Sequence, residues 1–459
     1  MKNLFLFIGF LLVSVSVLAQ DFLGTWHGTL EFPGAKLRLV LHLSDENGVW
    51  QASLDSPDQG AKGISGSQVK YTGNVLEIEF ESIRAAYKGT FENDRISGIF
   101  TQNNAPIPLN FQRGELKTER PQEPRPPFPY VAEEVVFENP QAGIRLAGTL
   151  TLPQKEGKFP AVVLISGSGP QNRDEELAGH KPFWVLADYL TRRGIAVLRF
   201  DDRGVGQSGG TFAGGTTEDF ATDAAAAVRY LKQRREINPL EIGLIGHSEG
   251  GCIAPMVAAA DPDVAFIVSL AGMGVRGQEL LLRQAADITK AMGVPESEVV
   301  KKVAFNREAF GIVARYPDHQ AVHLLDSLIT QNIAVLVDTK TLTPVLQKQF
   351  VQQLVNQFSR PWIRYFISFD PAPYWERVKC PVLALNGEKD LQVTPRENLE
   401  AIRKALEKGG NKRIKIVYLP GLNHLFQECQ SGLPSEYAFI QQTFSPEAMA
   451  VIAKWILEH

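Results

Sequence analysis

The segment EIGLIGHSEGGCIAPMVAAA, residues 241–260, decides the fold of most of this chain. Its first part, EIGLIG, predicts a buried strand, and its last part, GGCIAPMVAAA, predicts a helix of small residues. Between them, residues 246–250 match the pattern G-x-S-x-G, in which a serine lies on a sharp strand-to-helix turn. Such a turn projects the hydroxyl from the sheet edge, above the N-terminus of the helix. Ser248 is therefore predicted to be a nucleophile.

The same pattern occurs a second time, at residues 206–210, so the pattern alone does not identify the nucleophile. Ser208 lies eight residues beyond the preceding predicted strand and is followed by the glycine-rich TFAGG, which does not start a helix. We interpret Ser208 as a loop residue.

Around residues 241–260, predicted strands alternate with predicted helices, which indicates a mostly parallel sheet covered on both faces. The strands are predicted at residues 145–152, 161–166, 195–200, 241–246, 264–270, 381–386 and 413–419. The helices are predicted at residues 181–193, 217–234, 249–260, 394–408 and 446–458. About 100 residues between two of these strands show helical periodicity instead. We expect them, at about 275–372, to form a helical cap over the C-terminal edge of the sheet, or else a helical elaboration away from any site.

A serine hydroxyl needs a base to accept its proton and a carboxylate to orient that base, and in this strand–helix arrangement acid and base follow the serine. His424 lies in a loop directly after the strand at 413–419, where the base is expected. Asp390, in the loop after the preceding strand, is the predicted acid, with Glu388 as a solvated alternative. The other histidines after Ser248 are expected to be solvated or packing residues; they are His319, His323 and His459.

The loop after the strand at 161–166 is rich in glycine, which lets backbone N–H groups approach a ligand. We expect it to form an oxyanion hole together with the N–H of Glu249, with Ser168 as the favoured donor and Gly167 beside it. An ordinary turn is the alternative. The loop at residues 201–208 is interpreted as scaffold, tied by Arg203.

Cofactor and metal motifs are missing from the sequence. Neither glycine-rich loop carries G-K-[ST], and no Cys/His cluster has metal-ligand spacing. Three cysteines allow at most one intramolecular bridge and are expected to be buried or loop thiols: Cys252, Cys380 and Cys429. We expect no metal and no cofactor.

Three motifs in chain order resemble one branch of the α/β-hydrolase superfamily, the exported bacterial carboxylesterases with a serine aminopeptidase-like (S33-like) fold. They are the loop Ser166-Gly-Ser-Gly-Pro with Arg173-Asp174, then Asp202-Arg203-Gly-x-Gly-x-Ser, then Gly-His-Ser-Glu-Gly-Gly at 246–251. The resemblance runs from about residue 130 to the C-terminus and implies metal-independent acyl transfer through a serine ester. One departure is Ser166, which stands where many members have histidine.

The N-terminal third predicts other structures. Residues 1–20 combine Lys2, an apolar run and a small-residue end, and indicate a cleaved signal peptide rather than a short membrane anchor. Residues 21–114 alternate with a period of two between turns and predict a β-rich domain of about six to eight strands, weakly similar to lipocalin-like modules. Residues 115–130 are rich in proline and predict a stiff linker to a hydrolase domain at 131–459.

Composition limits the partners. The 459 residues carry 47 basic and 51 acidic side chains, a formal net charge of −4, without the basic stripe that nucleic acid requires. No span of about 20 apolar residues follows residue 20, so the mature chain is expected to be exported, in the periplasm or beyond it, without a membrane span. A small-molecule ester or peptide is the expected partner, and the sequence carries no signal of oligomeric state.

These residues leave several functions open. The leading hypothesis is an exported serine esterase, and the nearest rival is a serine exopeptidase whose cap carboxylates would hold the substrate ammonium. Those carboxylates would be Glu279, Glu296, Glu298 or Asp326, which suit a solvated helix face equally well. A thioesterase is disfavoured by export. Residues 21–114 could instead bind a glycan, lipid or protein through Trp26 and Trp50, although both are expected in the core.

Overall fold

The computed structural model describes residues 22–459 apart from 33–34, 47, 60, 104, 117–119, 338 and 340–342. The predicted signal peptide at 1–20 lies outside the described residues. At Arg120 the chain divides into two compact units.

The first unit is an all-β meander. Its strands are β1 Gly24–Phe32, β2 Ala35–Glu46, β3 Val49–Ser56, β4 Ala61–Ser65, β5 Gln68–Thr72, β6 Val75–Phe80, β7 Ala85–Glu92, β8 Arg95–Gln102 and β9 Ala105–Arg113. They form one antiparallel sheet in the order β4-β3-β2-β1-β9-β8-β7-β6-β5. The sequence predicts fewer strands because β4 and β5 bury none of their side chains and so lack the alternation that marks a half-buried strand.

One apolar cluster fills the interior of this unit, and Trp26 lies at its centre. Its indole is fully buried, and Nε1 donates to the Phe22 carbonyl at 2.8 Å. Trp50 is half-buried and stacks on the exposed Tyr71, with ring centroids 4.2 Å apart. The core position predicted for Trp26 is confirmed, whereas Trp50 lies at the edge of the core.

The proline-rich segment, where described from Arg120 onward, belongs to the second unit. The Arg120 guanidinium donates to the carbonyls of Gly179, at 3.0 Å, and Ile440, at 2.8 Å. Gln122 donates to the Phe444 carbonyl at 2.7 Å. These bonds tie the segment to loops at both ends of the hydrolase sequence.

The second unit is built on an eight-stranded sheet. Its strands are β10 Val131–Asn139, β11 Ile144–Leu152, β12 Phe159–Ile165, β13 Ala196–Phe200, β14 Ile237–His247, β15 Ile267–Leu270, β16 Val382–Gly387 and β17 Ile414–Leu419. The order is β10-β11-β13-β12-β14-β15-β16-β17. β11 is antiparallel to both of its neighbours, and from β13 to β17 all pairs are parallel. The predicted α/β sheet preceded by an all-β unit is confirmed.

Helices cover both faces of this sheet. Those that follow the strands directly are Pro182–Thr191, Thr217–Lys232, Gly250–Ala260, Pro395–Lys408 and Pro446–Leu457. Each agrees with its predicted range to within two residues, because strong terminators mark the ends: Thr216 caps one helix with its side chain, and proline opens three others.

Between β15 and β16 the described chain is helical. The helices are Gly277–Ala291, Glu296–Arg315, Asp318–Gln331, Ile333–Leu336, Pro344–Phe358, Pro361–Ser368 and Ala372–Trp375. They have an apolar core of their own, which includes Phe305, Phe310 and Leu325. A second cluster joins Leu280 and Phe366 of these helices to Met256 of the helix after β14. The insertion therefore packs directly over the turn that carries Ser248.

Candidate active site

Ser248 lies on the turn between β14 and the helix Gly250–Ala260. Its backbone has φ +53°, a left-handed conformation that L-residues other than glycine seldom adopt. The Ser248 N–H donates to the Leu270 carbonyl at 2.8 Å, which holds the turn against β15. The strained turn predicted from the sequence is present at Ser248.

The two glycines of this turn are required because neighbouring backbone leaves no room for a side chain. A Cβ atom at Gly246 would lie 2.0 Å from the Gly250 carbonyl oxygen, and a Cβ at Gly250 would lie 2.1 Å from the Ile165 carbonyl oxygen. Any side chain at either position would therefore collide with backbone. This close approach brings the end of β12, and the loop after it, against the turn.

Ser208 has a different role. Its hydroxyl donates to the Asp201 carbonyl at 2.7 Å and accepts from the Ala147 N–H at 3.0 Å. Arg203 in the same loop donates to both carboxylate oxygens of Asp223, at 2.7 and 3.0 Å. The structure thus places Ser208 and Arg203 in the scaffold of this loop.

His424 and Asp390 form a buried pair. His424 Nδ1 donates to Asp390 Oδ2 at 2.7 Å, and the other carboxylate oxygen, Oδ1, accepts from the N–H groups of Gln392 and Val393 at 2.7 and 2.9 Å. Because Nδ1 carries the proton, Nε2 of the neutral ring is the basic nitrogen. The loops after β16 and β17, which are parallel neighbours, supply the two residues.

The alternatives to these two residues lie elsewhere. Glu388 is exposed, and one of its oxygens accepts from the Gly421 N–H at 3.3 Å. His319, His323 and His459 are all exposed. Of the candidates weighed from the sequence, the structure brings together Ser248, Asp390 and His424.

The predicted oxyanion donors separate into two groups. Among the described residues, no protein acceptor is assigned to the N–H of Ser168 or of Glu249, so both are open to a ligand. The N–H of Gly167 instead donates to Glu175 Oε1 at 2.7 Å. The prediction of Gly167 as a donor beside Ser168 is not met in this structure, because its N–H already donates a hydrogen bond to the buried Glu175 carboxylate.

Charged groups hold this loop in place. Arg173 binds Asp201 through two nitrogens, at 2.8 and 3.1 Å, and Ser166 donates to Asp202 at 2.7 Å. Burial raises the pKa of Asp202 to about 7, although hydrogen bonds from Gln171 and Ser166 oppose the shift. Ser166 thus anchors the loop to Asp202, which follows the end of β13.

A second carboxylate–imidazole pair lies beside the first, and sequence reasoning missed it. His247 Nδ1 is 2.8 Å from Glu175 Oε1, and its Nε2 is 3.0 Å from the backbone carbonyl of His424. The rings of His247 and His424 are 4.8 Å apart. His247 stands inside the quoted pattern, but no spacing rule points to Glu175, eight residues beyond Gly167.

The Glu249 carboxyl is buried between the turn and the cap. Its Oε1 accepts from Thr217 Oγ1 at 2.6 Å and from Trp362 Nε1 at 2.9 Å. Burial raises the pKa of Glu249, while hydrogen bonds from Thr217, Trp362 and Ser168 oppose the rise. Trp362 therefore ties the cap helix Pro361–Ser368 to the turn that carries Ser248.

These groups line one cavity of about 170 Å³. Its polar wall contains Ser168, His247, Ser248, Glu249 and His424. The opposite, mostly apolar wall comes largely from the cap and includes Met273, Leu280, Leu281, Trp362, Phe366 and Val393. A pocket below about 300 Å³ is small for a protein ligand site, so the cavity suits a small substituent.

In the part of the chain that the structure describes, no group of three or more His, Cys, Asp or Glu side chains could hold a metal ion. No helix in that part is both long and apolar enough to cross a membrane. The three cysteines are free thiols, and Cys252 is buried.

Several known proteins are similar to this chain in sequence or in fold. The chain is 24% identical over 432 residues to Esterase EstD of Thermotoga maritima, covering 92% of this chain and 89% of that protein. It is 31% identical over 127 residues to the uncharacterised protein YfhR of Escherichia coli K12, covering 27% of this chain and 41% of that protein. Among solved structures, the Pyrococcus furiosus esterase Pf2001 aligns with a TM-score of 0.43 at 17% identity, covering 72% of this chain and 93% of that chain.

A family model gives the broader assignment. The model described as serine aminopeptidase, S33, matches residues 183–429, which is more than half of the chain and includes Ser248, Asp390 and His424. Ser248 lies on the turn after β14, and Asp390 and His424 lie in the loops after β16 and β17, which is the arrangement typical of an α/β-hydrolase. The chain therefore belongs to the serine aminopeptidase, S33, family of α/β-hydrolases and is a hydrolase.

Proposed function

We propose that the protein is a serine esterase that hydrolyses carboxylic esters with a small acyl group. The observation that carries the proposal is that His424, bonded to Asp390 at 2.7 Å, lines one cavity with a serine on a strained turn. This combination supplies a nucleophile, a base and an orienting carboxylate.

In the first half-reaction the Ser248 oxygen attacks the ester carbonyl carbon, and His424 Nε2 takes the hydroxyl proton. Asp390 keeps Nδ1 protonated and stabilises the imidazolium. The tetrahedral intermediate then collapses, and the same proton passes to the departing alcohol, which leaves an acyl ester on Ser248. Water repeats the sequence and releases the carboxylic acid.

The developing oxyanion is stabilised by the N–H groups of Ser168 and Glu249. Both lack a protein acceptor within the described residues, and both line the cavity. The helix Gly250–Ala260 begins directly after Glu249, and its N-terminus adds a partial positive charge.

The carboxyls that line the cavity favour recognition of a substrate ester over recognition of a substrate's free amino group. An aminopeptidase needs a carboxylate that is free to bind the substrate ammonium, and the two carboxyls lining the cavity already have partners: Glu175 with His247 and Gly167, and Glu249 with Thr217 and Trp362. The cap carboxylates considered from the sequence, Glu279, Glu296, Glu298 and Asp326, are exposed and do not line the cavity.

A substrate panel tests this proposal. p-Nitrophenyl acetate, butyrate and octanoate are compared with aminoacyl p-nitroanilides, using the wild type and Ser248→Ala as the blank. We expect the highest kcat/KM for acetate or butyrate, with a decline at octanoate. A higher kcat/KM for the anilides would overturn the assignment to esters.

We further propose that the chain is exported, which the pattern of residues 1–20 supports. Expression of the full chain in a bacterium, followed by fractionation and N-terminal sequencing, tests this. A mature N-terminus at residue 20 or 21 in the periplasm is expected, and an uncleaved chain in the cytoplasm would contradict export.

A further inference from the structure

Glu175, His247 and His424 form a chain of contacts behind the proposed base. Glu175 Oε1 lies 2.8 Å from His247 Nδ1, and His247 Nε2 lies 3.0 Å from the His424 carbonyl oxygen. Glu175 and His247 are both buried. Neither has a place in the acyl-transfer steps described above.

The acceptors in this series of contacts determine which nitrogen atoms of His247 carry a proton. A backbone carbonyl cannot donate, so His247 Nε2 must carry a proton. Glu175 Oε1 already accepts from the Gly167 N–H at 2.7 Å and faces Nδ1 as a second donor. The arrangement suits a His247 imidazolium paired with a Glu175 carboxylate.

Electrostatics agree with that assignment. Burial alone would lower the pKa of His247, but the charge and hydrogen bond of Glu175, the His424 carbonyl and the charge of Asp390 raise it above its usual value. The charged or titratable groups that bear on this ring are thus Glu175, Asp390 and His424.

The backbone is strained to make this contact. Glu175 has φ +51°, in the left-handed region. Such a conformation is unfavourable for a residue other than glycine and persists where the surroundings hold it in place. The residue held in this way is Glu175. Its carboxylate accepts from the Gly167 N–H of the predicted oxyanion loop and contacts His247, the residue before Ser248.

We propose that Glu175 and His247 are positioning residues for the base: His247, held by the Glu175 carboxylate, fixes the His424 backbone and, as a cation, opposes a second positive charge on the His424 ring. The proposal rests on the proposed function, because it makes His424 the base. The His247 and His424 rings lie 4.8 Å apart, so a charge on His247 acts at close range on the His424 ring.

The variants Glu175→Gln and His247→Gln test the charge while retaining hydrogen-bonding groups of similar reach. Loss of the cation removes an unfavourable interaction with a protonated His424. We therefore expect the acid limb of the kcat/KM profile to move to higher pH by about 0.5–1 unit in both variants. The plateau at high pH should fall less than about tenfold.

His180→Gln is the matched control. His180 is also a buried imidazole with two bonds, to Thr443 at 3.0 Å and to the Tyr437 carbonyl at 2.8 Å, but it does not line the cavity. Its variant should leave the acid limb in place. Circular dichroism shows which variants are folded.

A measurement on the wild type needs neither variant nor substrate. The ring Cε1–H signal of His247 is followed against pH by NMR, and His247 should keep its proton to higher pH than an ordinary histidine. If His247 titrates like an ordinary histidine or below it, or if folded variants keep the acid limb within about 0.2 unit, the proposal is overturned. Absence of ester hydrolysis by the wild type, in contrast, would refute the proposed function alone.

Discussion

Residues 246–250 and residues 206–210 share the pattern G-x-S-x-G, but their glycines meet different physical demands. At 246 and 250 the demand is space, because a Cβ atom would lie 2.0 Å and 2.1 Å from carbonyl oxygens. At 206 and 210 the demand is mainly conformation, because φ is +54° and +87°, although a Cβ at Gly206 would also lie 2.6 Å from Asp201 Oδ2. In the first stretch it is the serine, at φ +53°, that adopts the left-handed conformation.

The surroundings of the two serines differ accordingly. Ser208 Oγ is occupied by two backbone partners, Asp201 and Ala147, and stabilises its loop. Ser248 lines a cavity with a histidine–carboxylate pair. A nucleophile is therefore defined by the strand–turn–helix around the pattern, and not by the five residues themselves.

The largest expected effect separates the two serines. Ser248→Ala should lower kcat for p-nitrophenyl acetate by roughly 10⁴- to 10⁶-fold without unfolding the protein, since it removes the attacking oxygen. Ser208→Ala should lose two hydrogen bonds and about 1–2 kcal/mol of stability but change kcat less than about threefold. Steady-state kinetics and thermal denaturation measure both. Equal losses of kcat would contradict the distinction.

The acid can be tested in the same way. Asp390→Asn should lower kcat by about 10³- to 10⁴-fold, because the amide no longer selects the tautomer with a proton on Nδ1. Glu388→Gln is the control, as Glu388 is exposed and two residues away. Comparable kcat losses in the two variants would refute the assignment of Asp390.

The two kinds of glycine predict different costs for alanine. Gly250→Ala must push backbone apart and should cost about 3 kcal/mol or more in the free energy of unfolding, with loss of activity. Gly210→Ala imposes mainly a left-handed alanine and should cost about 1–2 kcal/mol. Urea denaturation measures the difference. A larger cost at Gly210 would show that the glycines have been interpreted the wrong way round.

His247, the second residue of the pattern at 246–250, should make the free energy of unfolding depend on pH. His247 in the folded state has a raised pKa, so its pair with Glu175 stabilises the protein fully below the unfolded value of about 6.5 and loses that contribution as pH rises through the folded pKa. Glu175→Gln should therefore cost about 1 kcal/mol between pH 5 and 6.5, and less at higher pH. A stability difference that grows with pH would contradict the ion pair.

The smallest effect is expected from removing the first unit. Both serine patterns and all proposed catalytic groups lie after Arg120, so residues 120–459 should hydrolyse p-nitrophenyl acetate within about twofold of a chain that also contains the first unit. A chain starting at residue 131 should be less stable, because it loses the bonds of Arg120 and Gln122. An inactive but folded 120–459 chain would show that the first unit contributes to catalysis.

Patterns local in sequence predicted much of the fold. Seven of the eight strands and the capped helices of the second unit, and the candidate residues Ser248, Asp390 and His424, follow from periodicity and from position after a strand, whereas β10 was not predicted. The exposed strands β4 and β5 lacked that periodicity. The role of Glu175 depends on its contact with His247, 72 positions away, and the occupied N–H of Gly167 depends on the Glu175 carboxylate, eight positions away; sequence spacing reports neither contact.

Covalent labelling tests the central claim, that Ser248 is the nucleophile, most directly. The wild-type protein, Ser248→Ala and Ser208→Ala are treated with a fluorophosphonate, and the labelled residue is located by peptide mass spectrometry. We expect one label per chain on Ser248 in the wild type and in Ser208→Ala, and none in Ser248→Ala. Stoichiometric labelling of Ser248→Ala, or a label on Ser208, would contradict the account.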